Sequence, residues 1–176
     1  MTGGPILGRY THQSDQTEHS DQTDLRTVRL VGMPVALFLR AREHHDELIR
    51  EFTLMAIHPN GTSTNGAALP PRLRELVDIL GRRFGASTSR ADMERDAAIE
   101  RGDTTVDLTY QVPASLGDDL TMLTQLMDDA DEFCRMERLL TLPRDANMVA
   151  FGHWYNNEFL RQIDGLPPTP WTGPLA

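Results

Sequence analysis

The sequence predicts a mainly α fold: a helical bundle of four to five helices with a small two-stranded β element. Three observations lead there. Apolar residues recur at three- and four-residue steps over several long stretches, the pattern of helices with one buried face. Alternation with period two is confined to two short stretches, and two strands alone cannot bury a core. The chain has 176 residues, 39% hydrophobic and 24% charged, which is the composition of one globular domain.

The elements follow in order. Residues 1–26 are polar and turn-rich, with SDQT at Ser14–Thr17 and again at Ser20–Thr23. So few apolar groups cannot offset the entropy of ordering, which predicts a flexible N-terminal tail. The single helical domain is expected over 27–165. It opens with a short strand, Thr27–Val31, ended by Gly32. Pro34 suits the first turn of a helix. From there Val35, Phe38, Ala41, His45, Leu48, Phe52 and Met55 mark one face of a helix about 23 residues long. His58–Ala68 reads as a polar loop.

Pro70-Pro71 opens a second helix with Leu73, Leu76, Val77, Leu80 and Phe84 on its apolar face and Gly85 as its cap. A third runs from Ser89, as N-cap, to Arg101, with Gly102 beyond it. Thr104–Val112 is a strand by its alternation of Val106, Leu108, Tyr110 and Val112. Ser115 to Asp118 resembles a capping box with Asp in the third position. The helix it opens buries Leu116, Leu120, Leu123, Met127, Ala130 and Cys134 and reaches about Arg138. Pro143 starts the last helix, with Met148, Tyr155 and Phe159 on one side and Gly165 at its end. Residues 166–176 form an extended, proline-rich C-terminal tail.

Charge and composition narrow the function. The formal net charge is −9 with no basic stripe, which argues against nucleic acid and against an anionic membrane surface. All 17 basic residues are arginine. GC-rich codon usage explains that more simply than selection for guanidinium chemistry. One cysteine, Cys134, permits no internal disulfide and fits a reducing compartment. No apolar run approaches the length of a membrane span and no signal peptide is visible, so a cytoplasmic location is expected. Without lysine there is no P-loop and no Schiff base, and neither G-x-S-x-G nor C-x-x-C occurs. An enzymatic role therefore finds no motif, and no cofactor is predicted.

Three groups of residues are candidates for function. Glu43, His44, His45, Asp46, Glu47 and Glu51 crowd the first long helix, and the helix after Ser115 offers Asp128, Asp129, Asp131 and Glu132. His44, His45, Glu47 and Asp131 are the candidate metal ligands, since carboxylates and histidines on facing helices can hold a metal inside a bundle. The repeated Glu-x-x-His of di-iron bundles is absent, and His153 and Glu158 are five apart, poor spacing for one face. The stronger reading is a solvated charged face with His45 packed in the core. That face, through Glu43, Glu47 and Glu51, is a candidate partner-binding surface. The third group is aromatic: Trp154, Tyr155 and Phe159, with Trp171 either folded back over the bundle or offered to a partner. Cys134, flanked by carboxylates, reads as a buried structural thiol rather than a nucleophile.

Several of these stretches together look like a family pattern. Asp131–Cys134 (DEFC), Leu139–Leu142 (LLTL), Trp154-Tyr155, Glu158-Phe159, Gln162, Gly165 and Pro168–Trp171 (PTPW), with AREHHDELIREF at Ala41–Phe52, resemble uncharacterised actinobacterial proteins. The resemblance spans Val28 to Trp171. Such proteins are often encoded near STAS-domain anti-sigma antagonists, anti-sigma ATPases and serine phosphatases. The resemblance implies a non-enzymatic regulatory or sensory accessory in partner-switching signalling, with a STAS or anti-sigma protein as partner. The alternative is a small-ligand or metal sensor with a pocket inside the bundle.

Overall fold

The computed structural model describes residues 24–57 and 90–176. The expected loop at 58–68, the helix opened by Pro70-Pro71 and nearly all of the N-terminal tail lie outside the described residues, as does Ser89. Within them the order is β1 (Leu25–Pro34), α1 (Val35–Ile57), α2 (Arg90–Arg101), β2 (Thr105–Pro113), α3 (Leu116–Arg135) and α4 (Ala146–Ile163). Four helices with one small antiparallel sheet make the protein mainly α, as its sequence predicts.

The sheet contributes more to the core than two short strands suggest. β1 and β2 pair antiparallel from Leu25 opposite Pro113 to Pro34 opposite Thr105. Their inward residues Val28, Leu30, Met33, Leu108 and Val112 all join the central apolar cluster. α4 packs along β1 and α2 against β2. The ribbon is therefore covered by helices.

β1 is also longer than the expected Thr27–Val31. Gly32 does not end it. Leu30 faces Leu108 and Met33 faces Val106, so Val31 and Gly32 share a single opposite residue, Asp107, in a β-bulge. Gly32 takes φ +66°, which a side chain would resist, and its N–H donates to the Asp107 carboxylate at 2.7 Å. The chain then re-enters the sheet register as far as Pro34 and turns directly into α1.

α1 has its expected span, but its buried stripe is shifted. Leu37, His44, Leu48, Phe52 and Met55 are buried, while Phe38, Ala41 and His45 sit at its margin. α3 turns Leu120, Leu123, Leu126, Met127, Ala130, Asp131 and Cys134 inward. Each fully buried leucine or phenylalanine contributes roughly 1.5–3 kcal/mol of transfer free energy. Both helices pack against α4, and these buried stripes hold them there.

Helix ends depart from expectation in two places. Ser115 has helical backbone angles and makes no side-chain cap, so the predicted capping box does not form. The last helix begins not at Pro143 but after Asp145. That residue is extended at φ −75°, ψ 171°, and its carboxylate accepts from Met148 N–H. The bond holds the Asp145 carboxyl below its usual range. α3 stops at Arg135, so residues 136–145 form a connector. Gly102 and Gly165 end α2 and α4 at positive φ, as their positions predict.

Candidate functional site

The connector between α3 and α4 is fixed by side chains from other elements. Glu51 on α1 accepts from Leu140 N–H at 2.6 Å, Thr141 N–H at 2.9 Å and Thr141 Oγ1 at 2.8 Å. Asp131 on α3 takes the next segment. It accepts from Arg144 N–H at 3.0 Å and from Arg144 Nε at 2.9 Å. Arg40 of α1 pairs with Asp145. Along Leu139–Leu142 the side chains alternate: Leu139 and Thr141 point inward, while Leu140 and Leu142 are 72% and 78% exposed.

Beneath the connector lies a buried ionic cluster. Asp131 is 1% exposed and the Arg144 side chain 5%. Arg144 Nη2 reaches Asp131 at 2.8 Å and Asp128 at 2.9 Å, and Asp128 also meets His153 Nε2 at 3.1 Å. Gly152 on α4 makes room for the guanidinium: a Cβ there would stand 3.2 Å from Arg144 Nη1. The sequence placed Asp131 among charged residues. It carries no sign that Arg144, thirteen positions on, would be its partner.

His44 adjoins this cluster. It is buried, and its Nε2 has no hydrogen-bond partner. Burial lowers its pKa below 6.5 and Arg144 adds to that, against the pull of Asp131 and Glu47. The half-buried His45, its ring 6.5 Å away, is lowered to about 4, mainly by desolvation and then by His44. Both imidazoles are therefore neutral near pH 7. The core histidine of α1 is thus His44, one position before the one its periodicity suggested.

Of the acidic candidates on α1, Glu43 and Glu47 are exposed. Glu51 is half-buried and committed to the connector. No group of three or more potential metal ligands gathers among the described residues. Asp131 is held by Arg144 through both oxygens. Burial pushes the Cys134 thiol up to about 12, helped by Asp131 and Glu51, which removes nucleophilic character near neutral pH.

Trp171 folds back. Its N–H donates to the Val31 carbonyl at 3.0 Å, on the bulge of β1. Its ring meets Phe151 at 5.9 Å and Trp154 at 5.4 Å, both edge-on. Two residues earlier, Thr169 N–H donates to Glu158 Oε2 at 2.8 Å. Trp154 Nε1 donates to the Thr169 carbonyl at 3.0 Å, and Arg161 Nη1 to its hydroxyl at 2.8 Å. Glu158, 1% exposed, is tied in turn to Gln162. The Gln162 amide bonds both the N–H and the carbonyl of Arg29 at 2.8 Å, completing the outer edge of β1 as a neighbouring strand would. Sequence reasoning missed Glu158 and Gln162 as a unit, although their spacing of four on one helix face was available.

In comparisons with protein-family models, with curated proteins and with solved structures, nothing matches this chain. Among the described residues, no helix is long and apolar enough to cross a membrane.

Proposed function

We propose that this protein is a non-enzymatic interaction domain acting as a regulatory accessory in partner-switching signalling, with a STAS or anti-sigma protein as its partner. One observation supports the interaction reading above the others. Leu140 and Leu142 stand exposed on a backbone whose N–H groups Glu51 holds and whose flanking residues Leu139 and Thr141 are buried. Leucines displayed on a fixed backbone lose little further freedom on binding, so their burial goes largely into affinity. Exposed Glu43 and Glu47 lie on the helix that carries Glu51, where they favour a partner with a basic rim. The partner class rests on the sequence resemblance.

Titration calorimetry of the full chain against a purified STAS-domain antagonist and an anti-sigma ATPase tests this. The doubly substituted Leu140→Asp, Leu142→Asp chain should bind at least tenfold more weakly, with its melting temperature unchanged. Glu47→Arg should weaken the complex in a salt-dependent way. No heat with either protein at micromolar concentrations would sink the partner-switching reading. Intact binding by the doubly substituted chain would remove the leucines from the interface.

A ligand or metal sensor is the second reading, favoured by the unpartnered, buried Nε2 of His44 beside Asp131. Native mass spectrometry of the untagged protein decides it. Retained extra mass that His44→Gln abolishes would support a sensor. A spectrum of the bare chain, unchanged after incubation with zinc, would end that reading.

A further inference from the structure

The contacts on residues 169–171 have the form of a peptide-recognition site. Three backbone groups of residues 169–171 are met by fixed partners: Thr169 N–H by Glu158, the Thr169 carbonyl by Trp154, and Trp171 N–H by Val31. One side chain, Trp171, fills an aromatic corner made by Phe151 and Trp154. Backbone hydrogen bonds with a single aromatic anchor are how extended peptides are bound. Pro167, Pro168 and Pro170 pre-set the extended backbone and lower the entropy of seating it. The side chains from Asp164 to Pro170 are exposed, and beyond these contacts the stretch is held by Leu166 N–H on the Arg161 carbonyl and by Arg161 on the Pro167 carbonyl and the Thr169 hydroxyl.

The segment now in place does not satisfy the site fully. Glu158 Oε1 and Arg161 Nε are both buried and have no hydrogen-bond partner, and Arg161 Nη1 approaches Glu158 Oε1 only to 3.9 Å. A buried acceptor and a buried donor one helical turn apart on α4 thus have unused capacity. Nearly every buried polar atom in a native fold is paired, so an unpaired set next to a bound peptide segment points to a better ligand. A side-chain amide on the incoming peptide could donate to Glu158 and accept from Arg161.

We propose that the groove between α4 and the bulge of β1 binds an extended Thr-Pro-Trp-like peptide of a partner protein, and that residues 169–171 are its resident, displaceable occupant. This goes beyond the interaction reading above, whose leucines lie on the connector. A tethered occupant competes at an effective concentration in the millimolar range. Free peptide therefore enters only when the tether is loosened or the peptide is the better ligand.

The probe is a dye-labelled synthetic peptide with the sequence of residues 166–176, followed by fluorescence polarisation against the full-length chain. Trp171→Ala empties the aromatic corner and should bind the peptide saturably, at least tenfold more tightly than the wild type. Adding Glu158→Gln to that variant should weaken its peptide binding tenfold, and a peptide lacking its tryptophan should not bind. A folded Trp171→Ala chain that does not bind overturns the proposal. So does equal binding by wild type and variant, because the peptide then uses another surface. If the peptide converts a wild-type dimer into monomers, the occupant is a second copy of this chain and the assignment to a separate partner falls.

Hydrogen exchange of the wild type guards against a variant that fails to fold. The Thr169 and Trp171 amides should exchange at least a hundredfold faster than the most protected amides of β1. Exchange of all of them together, by global unfolding alone, would show an integral element of the fold and refute displacement. Neither measurement uses a STAS or anti-sigma protein, so its outcome is independent of the partner class.

Discussion

Arg144→Met removes the cation from the buried cluster while keeping most of the side-chain volume. The wild-type guanidinium makes charge-assisted contacts with Asp131 at 2.8 and 2.9 Å and with Asp128 at 2.9 Å. Asp131, 1% exposed in the wild type, would then keep only the backbone N–H of residue 144 as a partner. Breaking a buried pair from one side leaves an uncompensated charge and costs about 3–5 kcal/mol. A domain of this size is stable by roughly 5–15 kcal/mol, so the change takes a large share of it. At about 2–4 °C per kcal/mol, the melting temperature should fall by about 6–20 °C. Replacing both partners, Asp131→Leu with Arg144→Met, should cost less than Arg144→Met alone, since two apolar side chains leave no buried charge. Urea unfolding of the wild type, both single variants and the double variant gives the coupling directly. A loss below about 1 kcal/mol for Arg144→Met would refute the argument, because such a value belongs to a solvent-screened surface pair.

Three further outcomes follow from the same structure. The folded-state pKa values of His44 and His45 are depressed, so their contribution to stability is full above pH 6.5 and is lost as pH falls below it, for His45 down toward about 4. For His45 the drop from 6.5 to about 4 bounds that loss at about 3 kcal/mol, and His45→Gln should flatten the stability profile over this window relative to wild type. Parallel profiles for the two proteins would contradict it. Glu51→Ala frees the N–H groups of Leu140 and Thr141 and should destabilise the protein by about 1–3 kcal/mol, with faster hydrogen exchange at those two amides; unchanged exchange would mean that Glu51 does not hold the connector. Cys134, with its thiol near 12, should resist iodoacetamide at pH 8 in the folded protein and react in urea, and rapid alkylation without denaturant would disprove its inert role.

The elements were legible where their signal is local. The span of α1, the period-two face of β2 and the glycines past α2 and α4 each follow from a few neighbouring residues. Errors arose where tertiary partners chose between local options. Gly32 ends a strand by propensity, yet Asp107 across the sheet bonds its N–H and lets the strand continue through a bulge. His44 and His45 fit the helical stripe almost equally well, and which one turns inward depends on how α1 meets its neighbours. Ser115 has the chemistry of a cap, but its backbone is helical rather than extended, and its side chain makes no cap bond.

The acidic candidates show why the site was less legible than the fold. Sequence patterning treats a carboxylate on a helix as solvated or metal-binding. Here the buried and half-buried ones share another task. Glu51 holds residues 140 and 141, Asp131 holds residue 144, and Glu158 holds residue 169, each by accepting a backbone N–H from a segment that is not helical. Such segments cannot satisfy their own N–H groups as a helix does, so long-range carboxylates do it for them. The partners lie 89 or 90, 13 and 11 residues away, outside any helical spacing. It follows that the net charge of −9 overstates the acidity offered to a partner. On α1, Glu43 and Glu47 remain exposed for the proposed partner, and a charge reversal at Glu51 would report on the connector instead. Glu47→Arg and Glu51→Arg should therefore separate, the first changing affinity at constant stability and the second changing both.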